Sequence, residues 1–331
     1  FKSGVIENST IRALHQAPIH ERDVILGVEN VSRKPGGVDV FGYLKAELGV
    51  GEAGRLVYKA LDAVGVPISA INYKATVSRQ NYDFKTDDCG KFQTLFTAIN
   101  ADQLQGGCDY LGEAFLKDRY VIGQWFWELE ELPERYQTSF ALVDEIWAPT
   151  LFIKEAIEKK SPSVVNVVHI PLPLVTPKVD CSISREKFGL GDGFVFLFTF
   201  DFMSVLKRKN ALGLMDAYCN AFSPNDGTLL VLKTINGERR LPELEKIRWR
   251  AKDRQDIVII DQYLDVEESS ALMNVCDCYV SLHRSEGLGL TMAEAMLLGK
   301  PVIATAYSGN MDFMTNETAL LVPWEYVEVG N

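Results

Sequence analysis

The chain has no apolar run approaching the ~18 residues that a membrane-spanning helix needs, so a helical spanning role is excluded. Its six cysteines include no Cys-x-x-Cys pair; Cys276 and Cys278 flank one residue and the others are scattered. That spacing gives no zinc knuckle and no disulfide framework, and it suits a reducing cytoplasm. There is no dense Lys/Arg stripe, and the net charge is −11, which argues against a nucleic-acid partner. No internal repeat is present, and no signal-peptide pattern opens the chain, which begins at Phe1.

What is present is the composition of a folded protein. The 331 residues suit two domains of about 150 each. With 47% hydrophobic and 24% charged residues the chain can bury two cores. Residues 1–37 are polar and weakly patterned and close on Lys34-Pro35-Gly36-Gly37, which reads as a linker or amino-terminal extension. Strand and helix then alternate. Strands are expected at 38–43, 66–73, 119–127, 144–148 and 164–169, with a helix from about 52 to 64 and another near 133–140. Pro171, Pro173 and Pro177 mark a boundary, giving domains over 38–175 and 176–331. Beyond it, the short apolar runs 194–200, 229–233, 257–260 and 278–282 are typical of strands covered on both faces, hence of parallel sheets.

One stretch carries most of the chemistry. Residues 281–310 place Glu286 and Glu294 around Gly287-Leu288-Gly289, between a strand and a helix. Thr291 and Glu294 match a capping box, Gly299 and Pro301 a stop signal, and Val302 to Thr305 the next strand. A glycine loop that opens a helix leaves backbone N–H groups suited to a phosphate. A carboxylate on either side suits the hydroxyls of a sugar and a ribose. Helix capping alone would also account for Glu294, and turn geometry for Gly287 and Gly289. Lys207, Arg208 and Lys209 read as a helix start, where three cations conflict with the positive end of the helix dipole unless an anion sits among them. Gly49, Gly51 and Gly54 match G-x-G-x-x-G, which taken alone fits an NAD-dependent dehydrogenase. However, the acid that would bind the ribose is missing; the second strand ends in Asn72-Tyr73-Lys74.

Glu286, seven intervening residues and Glu294, within EGLGLTMAEAM and followed by GKPVIAT, resemble the donor site of family 4 retaining glycosyltransferases. GYLKAELGVGEAGR at 42–55 is similar to the amino-terminal glycine loop of that family, and LKRKN at 206–210 to its phosphate-binding turn. The resemblance covers roughly residues 38 to 325. It implies an α/β fold of GT-B type, two Rossmann-like domains whose parallel sheets face a cleft, with the carboxyl-terminal helices truncated and further domains of a longer chain compatible. It implies transfer of a sugar from a nucleotide diphosphate sugar to a hydroxyl acceptor. The setting it suggests is polysaccharide or glycoconjugate assembly of the bacterial surface type, in the cytoplasm or peripherally on the cytoplasmic face of a membrane. The acceptor would be a saccharide or a lipid-linked saccharide.

By the same resemblance, Glu286 binds donor-sugar hydroxyls and Glu294 the ribose, while backbone amides from Leu288 through Leu290 to Thr291 hold sugar and phosphates. Lys209 matches the diphosphate-binding lysine. The family's upstream arginine is missing, its place being Phe200-Asp201-Phe202-Met203, so Arg208 or Lys233 is the candidate to replace it. Gly49 and Gly51 are expected opposite the phosphates, beside Glu52. Glu128, next to Trp127, is a candidate for contacting sugar at the reacting centre. The family's histidine on that loop is absent, and His283 reads as core. No Asp-x-Asp triad, usual in metal-dependent glycosyltransferases, occurs, so neither metal nor cofactor is expected. Alternatives are the dehydrogenase using Gly49–Gly54 and a catalytically inactive sugar-binding module of the same fold.

Overall fold

The computed structural model describes residues 34–87 and 89–327. The expected extension at 1–37 lies outside the described residues except for its last four. The chain divides into two compact units. The first runs to Phe126 and includes Glu131–Pro149 and Lys154–Leu172. The second takes Trp127–Glu130, Thr150–Ile153 and everything from Pro173.

Six strands form the first sheet: β1 (Val38–Gly42), β2 (Ile68–Asn72), β3 (Thr94–Ala98), β4 (Tyr120–Gln124), β5 (Glu145–Ala148) and β6 (Asn166–His169). Their order is β2-β1-β3-β4-β5-β6, and every neighbouring pair is parallel. Helices α1 (Gly49–Ala63), α2 (Ala101–Leu111), α3 (Glu113–Leu116) and α4 (Leu151–Glu158) connect them. The first four strands are buried along all but their first residue, as helices on both faces of a parallel sheet require. Asp39 lies inside β1 with no exposure, and a buried charge of that kind needs partners. It pairs with Arg119, accepts from the Ser69 hydroxyl, and receives the amides of Lys91 (2.9 Å) and Phe92 (3.1 Å). One carboxylate thus ties β1 to β2, to the loop before β3 and to the start of β4.

The second unit repeats the plan. Strands β7 (Phe194–Asp201), β8 (Thr228–Ile235), β9 (Ile257–Asp261), β10 (Cys278–Ser281), β11 (Val302–Thr305) and β12 (Leu320–Val322) stand in the order β12-β11-β10-β7-β8-β9, again all parallel. Helices α5 (Leu206–Lys209), α6 (Ala211–Ala221), α7 (Leu241–Ala251), α8 (Val266–Val275) and α9 (Leu290–Leu297) pack around it. Val195, Leu197, Leu230, Leu232 and Tyr279 are among the strand residues of one continuous core. After β9 the chain returns to the opposite side of β7 to lay down β10, so the strand order reverses between β7 and β10. In open α/β sheets, ligands bind at the carboxyl ends of strands at such a reversal.

The α/β class with parallel sheets matches the expectation, while several local details differ. The helix expected near 133–140 is a 3₁₀ helix over Glu134–Leu142. The strand expected to reach Trp127 stops at Gln124, and Trp125, just beyond it, is buried edge-on against Phe140. Among the described residues no helix is long and apolar enough to cross a membrane.

Candidate active site

The loops leaving β7 and β10 are sewn together at the strand reversal. Helix α5 is a single turn, halted when Asn210 enters the left-handed region (φ 56°, ψ 36°). From there the Asn210 side-chain amide donates to the Leu282 carbonyl (2.7 Å), and the Arg284 amide donates to the Arg208 carbonyl (2.8 Å). The basic residues therefore occupy a one-turn helix that leads through Asn210, the N-cap of α6, into that longer helix.

This stitching brings Arg208 and Lys209 onto Glu286. Lys209 Nζ donates to Glu286 Oε1, and Arg208 Nη1 lies 3.0 Å from Oε2 while also donating to the Ser285 carbonyl at 2.9 Å. The Glu286 side chain is only 11% exposed. Burial pushes its pKa up, but the charges of Lys209 and then Arg208 outweigh that and hold it below the ordinary 4.5. Glu128 stands on the far side of Arg208, 3.6 Å from Nη2, and its carbonyl accepts from the Ser285 hydroxyl. Two cations and two carboxylates thus meet in one cluster.

The loop after β11, to which the sequence attaches no expected role, forms the other wall. The Glu286 amide donates to Ser308 Oγ (2.8 Å), the Ser308 hydroxyl donates to the Tyr307 carbonyl (2.5 Å), and the Gly309 amide donates to the Glu286 carbonyl (2.9 Å). Ser308 has φ 77° and ψ −150°, a conformation that non-glycine residues adopt only where surroundings enforce it. A Cβ on Gly309 would collide with the Gly287 carbonyl, so the two loops touch backbone to backbone. His283 is core, as expected. Its Nε2 lies 3.2 Å from the Tyr307 carbonyl and 3.1 Å from Asn310 Oδ1, and Nδ1 lies 3.0 Å from Ser281 Oγ. Two acceptors at Nε2 identify that nitrogen as the protonated one, with Nδ1 accepting from Ser281. Burial lowers its pKa against the opposing pull of the Glu286 charge. The sequence signal for this wall was Ser308-Gly309-Asn310 two residues beyond a strand.

The capping box does not form. Helix α9 starts at Leu290 with Gly289 as its N-cap in the left-handed region (φ 86°), so Thr291 and Glu294 already lie inside the helix. The Thr291 hydroxyl instead meets Tyr279 Oη (2.7 Å), which also lies 2.8 Å from Thr199 Oγ1. Glycine is favoured at 289 because its φ is positive, where a side chain is strained. At Gly287 a Cβ would press on the Trp127 carbonyl (2.9 Å) and Ile153 (3.2 Å). Leu288 is buried; Leu290, Thr291 and Glu294 are half-buried.

The remaining candidates are placed as follows. Lys233 is buried in β8, paired across the sheet with Thr199, and its Nζ donates to the Thr234 carbonyl (3.0 Å). Gly49 and Gly51 belong to the first unit, at the start of α1. No atom lies near a Cβ built on Gly49, whereas one on Gly51 would meet the carbonyls of Tyr43 (2.6 Å) and Ala46 (2.8 Å). Gly51 therefore lets α1 seat against its own loop. Glu52 pairs with the buried Arg55, which also donates to the carbonyls of Leu44 (3.1 Å) and Ala46 (2.9 Å). Asn72, where a dinucleotide enzyme would carry its ribose-binding acid, accepts from the Lys45 amide (2.9 Å).

The fold, two sheets of six parallel strands with helices around them, is the GT-B fold of solved glycosyltransferases. Residues 196–328, most of the second unit, match the family described as glycosyl transferases group 1. Among solved structures, the chain is similar to Alr3699/HepE of Anabaena in complex with UDP and glucose, with a TM-score of 0.59 and 15% identity over 87% of this chain and 86% of that one. It is also similar to a glycosyltransferase of Rickettsia africae (TM-score 0.57, 14% identity, 88% and 85% covered). A third likeness is to S. aureus TarM with fondaparinux, alpha-GlcNAc-glycerol and UDP (TM-score 0.52, 12% identity, 70% and 45% covered). No curated protein matches the chain.

Proposed function

We propose that this protein is a retaining glycosyltransferase that moves a sugar from a nucleotide diphosphate sugar to a hydroxyl acceptor, with fixed cations doing the work a metal does elsewhere. The observation that carries this reading is the clamp of Arg208 and Lys209 on Glu286 at the strand reversal, followed directly by a glycine loop and α9. The group 1 match covers the same residues, and Alr3699/HepE shows that this fold accommodates UDP-glucose.

In this reading Arg208 and Lys209 receive the diphosphate, and amides from Leu288 to Thr291 line the sugar and phosphates. Glu286 turns to the sugar hydroxyls and Glu294 to the ribose. As the bond from the anomeric carbon to the phosphate oxygen breaks, negative charge gathers on the diphosphate, where preorganised cations stabilise it most. The acceptor oxygen bonds to the anomeric carbon from the same face. The departing phosphate oxygen takes the acceptor proton, so no side-chain base is required. Glu128, beside Arg208, contacts sugar at the same centre. Lys233 reinforces the cationic side, and Gly49 and Gly51 open α1 of the first unit, where Gly51 lets that helix seat against the loop before it. The setting is cytoplasmic, peripheral to a membrane where the acceptor is lipid-linked.

The test incubates the protein with radiolabelled UDP- and GDP-sugars, with and without EDTA, and assigns the anomeric configuration of the product by NMR. Transfer with retention that survives chelation is the expected result. Loss of transfer in EDTA, restored by Mn²⁺ or Mg²⁺, would overturn the metal-free mechanism, and inversion would overturn the stereochemistry.

A further inference from the structure

An aromatic cluster on the second unit has no part in the donor chemistry. Tyr307 immediately precedes Ser308, the residue that holds the Glu286 amide. Its ring lies 4.5 Å from that of Trp324, which stands 4.9 Å from Tyr326 at an interplanar angle of 82°. Tyr307 and Tyr326 are also nearly perpendicular, at 81°. The three rings form a corner, buttressed by Phe152 edge-on to Tyr307. Both tyrosine hydroxyls donate to one carboxylate oxygen, Glu130 Oε1, at 2.9 and 2.5 Å. Yet Trp324 is 43% exposed and Tyr326 is 72% exposed, so two of the three rings are open to solvent in part.

A corner of rings partly open to solvent and oriented by a carboxylate has a defined chemical complement. Aromatic faces carry negative charge density and attract partly positive C–H groups, such as those on one face of a pyranose. A carboxylate forms strong hydrogen bonds with hydroxyl groups. Tyrosine and tryptophan offer large contact areas at small entropic cost. We propose that Tyr307, Trp324, Tyr326 and Glu130 form a saccharide-binding platform that engages a pyranose of the acceptor, one residue from the loop that positions Glu286. The acceptor role rests on the proposed transferase function; the binding of saccharide does not. The acceptor class that follows is a glycan at least two sugars long, one unit on the platform and another at the reacting centre.

The experiment applies the fluorescently labelled full chain to a printed array of oligosaccharides and follows intrinsic tryptophan fluorescence with each glycan retained. The wild type is expected to retain at least one glycan and to show a fluorescence change on titration. Trp324→Ala should weaken that binding by at least about tenfold, as loss of an aromatic anchor does, and Glu130→Gln should weaken it without removing a ring. Thermal shift with UDP- and GDP-sugars, run in parallel on each variant, reports folding and the donor site separately. Absence of retained glycan for a wild type that still responds to nucleotide sugar would overturn the platform and leave the transferase reading intact. Retention unchanged by both substitutions would overturn it equally. Glycan retention with no response to any nucleotide sugar would overturn the acceptor role.

Discussion

Replacing Glu286 with glutamine separates two consequences of the clamp. The carboxylate is buried and meets Lys209 at one oxygen and Arg208 at the other. A hydrogen bond to a charged group contributes about 1.5–3 kcal/mol, and glutamine keeps the volume and one acceptor while leaving the cations without a counter-charge. The expected loss is therefore about 2 kcal/mol, or roughly 4–8 °C in the melting of the second unit. Transfer should fall by about 10²–10³, while UDP binding should be retained, because its diphosphate no longer competes with a carboxylate for the cations. The pH dependence has a fixed sign. The folded-state pKa of Glu286 lies below 4.5, so its contribution is fully present above 4.5 and is lost as pH falls through the lowered value. The melting gap between wild type and Glu286→Gln should accordingly narrow in acid. Differential scanning fluorimetry across pH and single-turnover transfer provide the readouts. Wild-type transfer by the variant would remove Glu286 from the site, and an unchanged melting temperature would show that the clamp contributes nothing.

Other substitutions follow from the same geometry. Lys209→Ala should lower single-turnover transfer by about 10²–10³ while weakening donor binding less, since its partner is most negative in the transition state. If Lys233 acts in the same unit, Lys209→Ala with Lys233→Ala should lose little beyond the worse single variant, whereas additive losses would assign Lys233 to β8 packing alone. Gly309→Ala should abolish donor thermal shifts, because its Cβ would enter the Gly287 carbonyl and push the two loops apart; unchanged shifts would show that the contact is dispensable. Asp265→Ala should cost about 1 kcal/mol of stability in chemical denaturation, since Asp265 and Glu268 form the capping box that starts α8.

Sequence pattern made the fold class readable where strands are densely apolar. Phe194–Asp201 and Cys278–Ser281 stand out by their density of Phe, Leu, Val and Tyr; only the second is buried at every position, while the first runs from an exposed Phe194 to a half-buried Asp201. Thr94–Ala98 and its following helix escaped notice, as two threonines and a short length resemble a loop. Helix starts were least legible. Thr291 and Glu294 satisfy the spacing of a capping box, yet Gly289 caps α9 because its backbone turns left-handed, and no spacing rule records that. The site was half visible. Glu286 and the basic turn were read from sequence, but Ser308, Asn310 and Tyr307 reach the cluster only because β11 lies beside β10, a fact of topology. Gly51 shows the opposite case, a motif glycine whose space is filled by its own loop.

The claim that Arg208 and Lys209 form a diphosphate site is tested most directly by calorimetric titration of UDP- and GDP-sugars and of NAD(H) into the wild type and the Arg208→Ala, Lys209→Ala double variant. Saturable binding of a nucleotide sugar that the double variant loses, with no binding of NAD(H), is the predicted result. Binding of NAD(H) in preference, or nucleotide-sugar affinity untouched by removal of both cations, would contradict it.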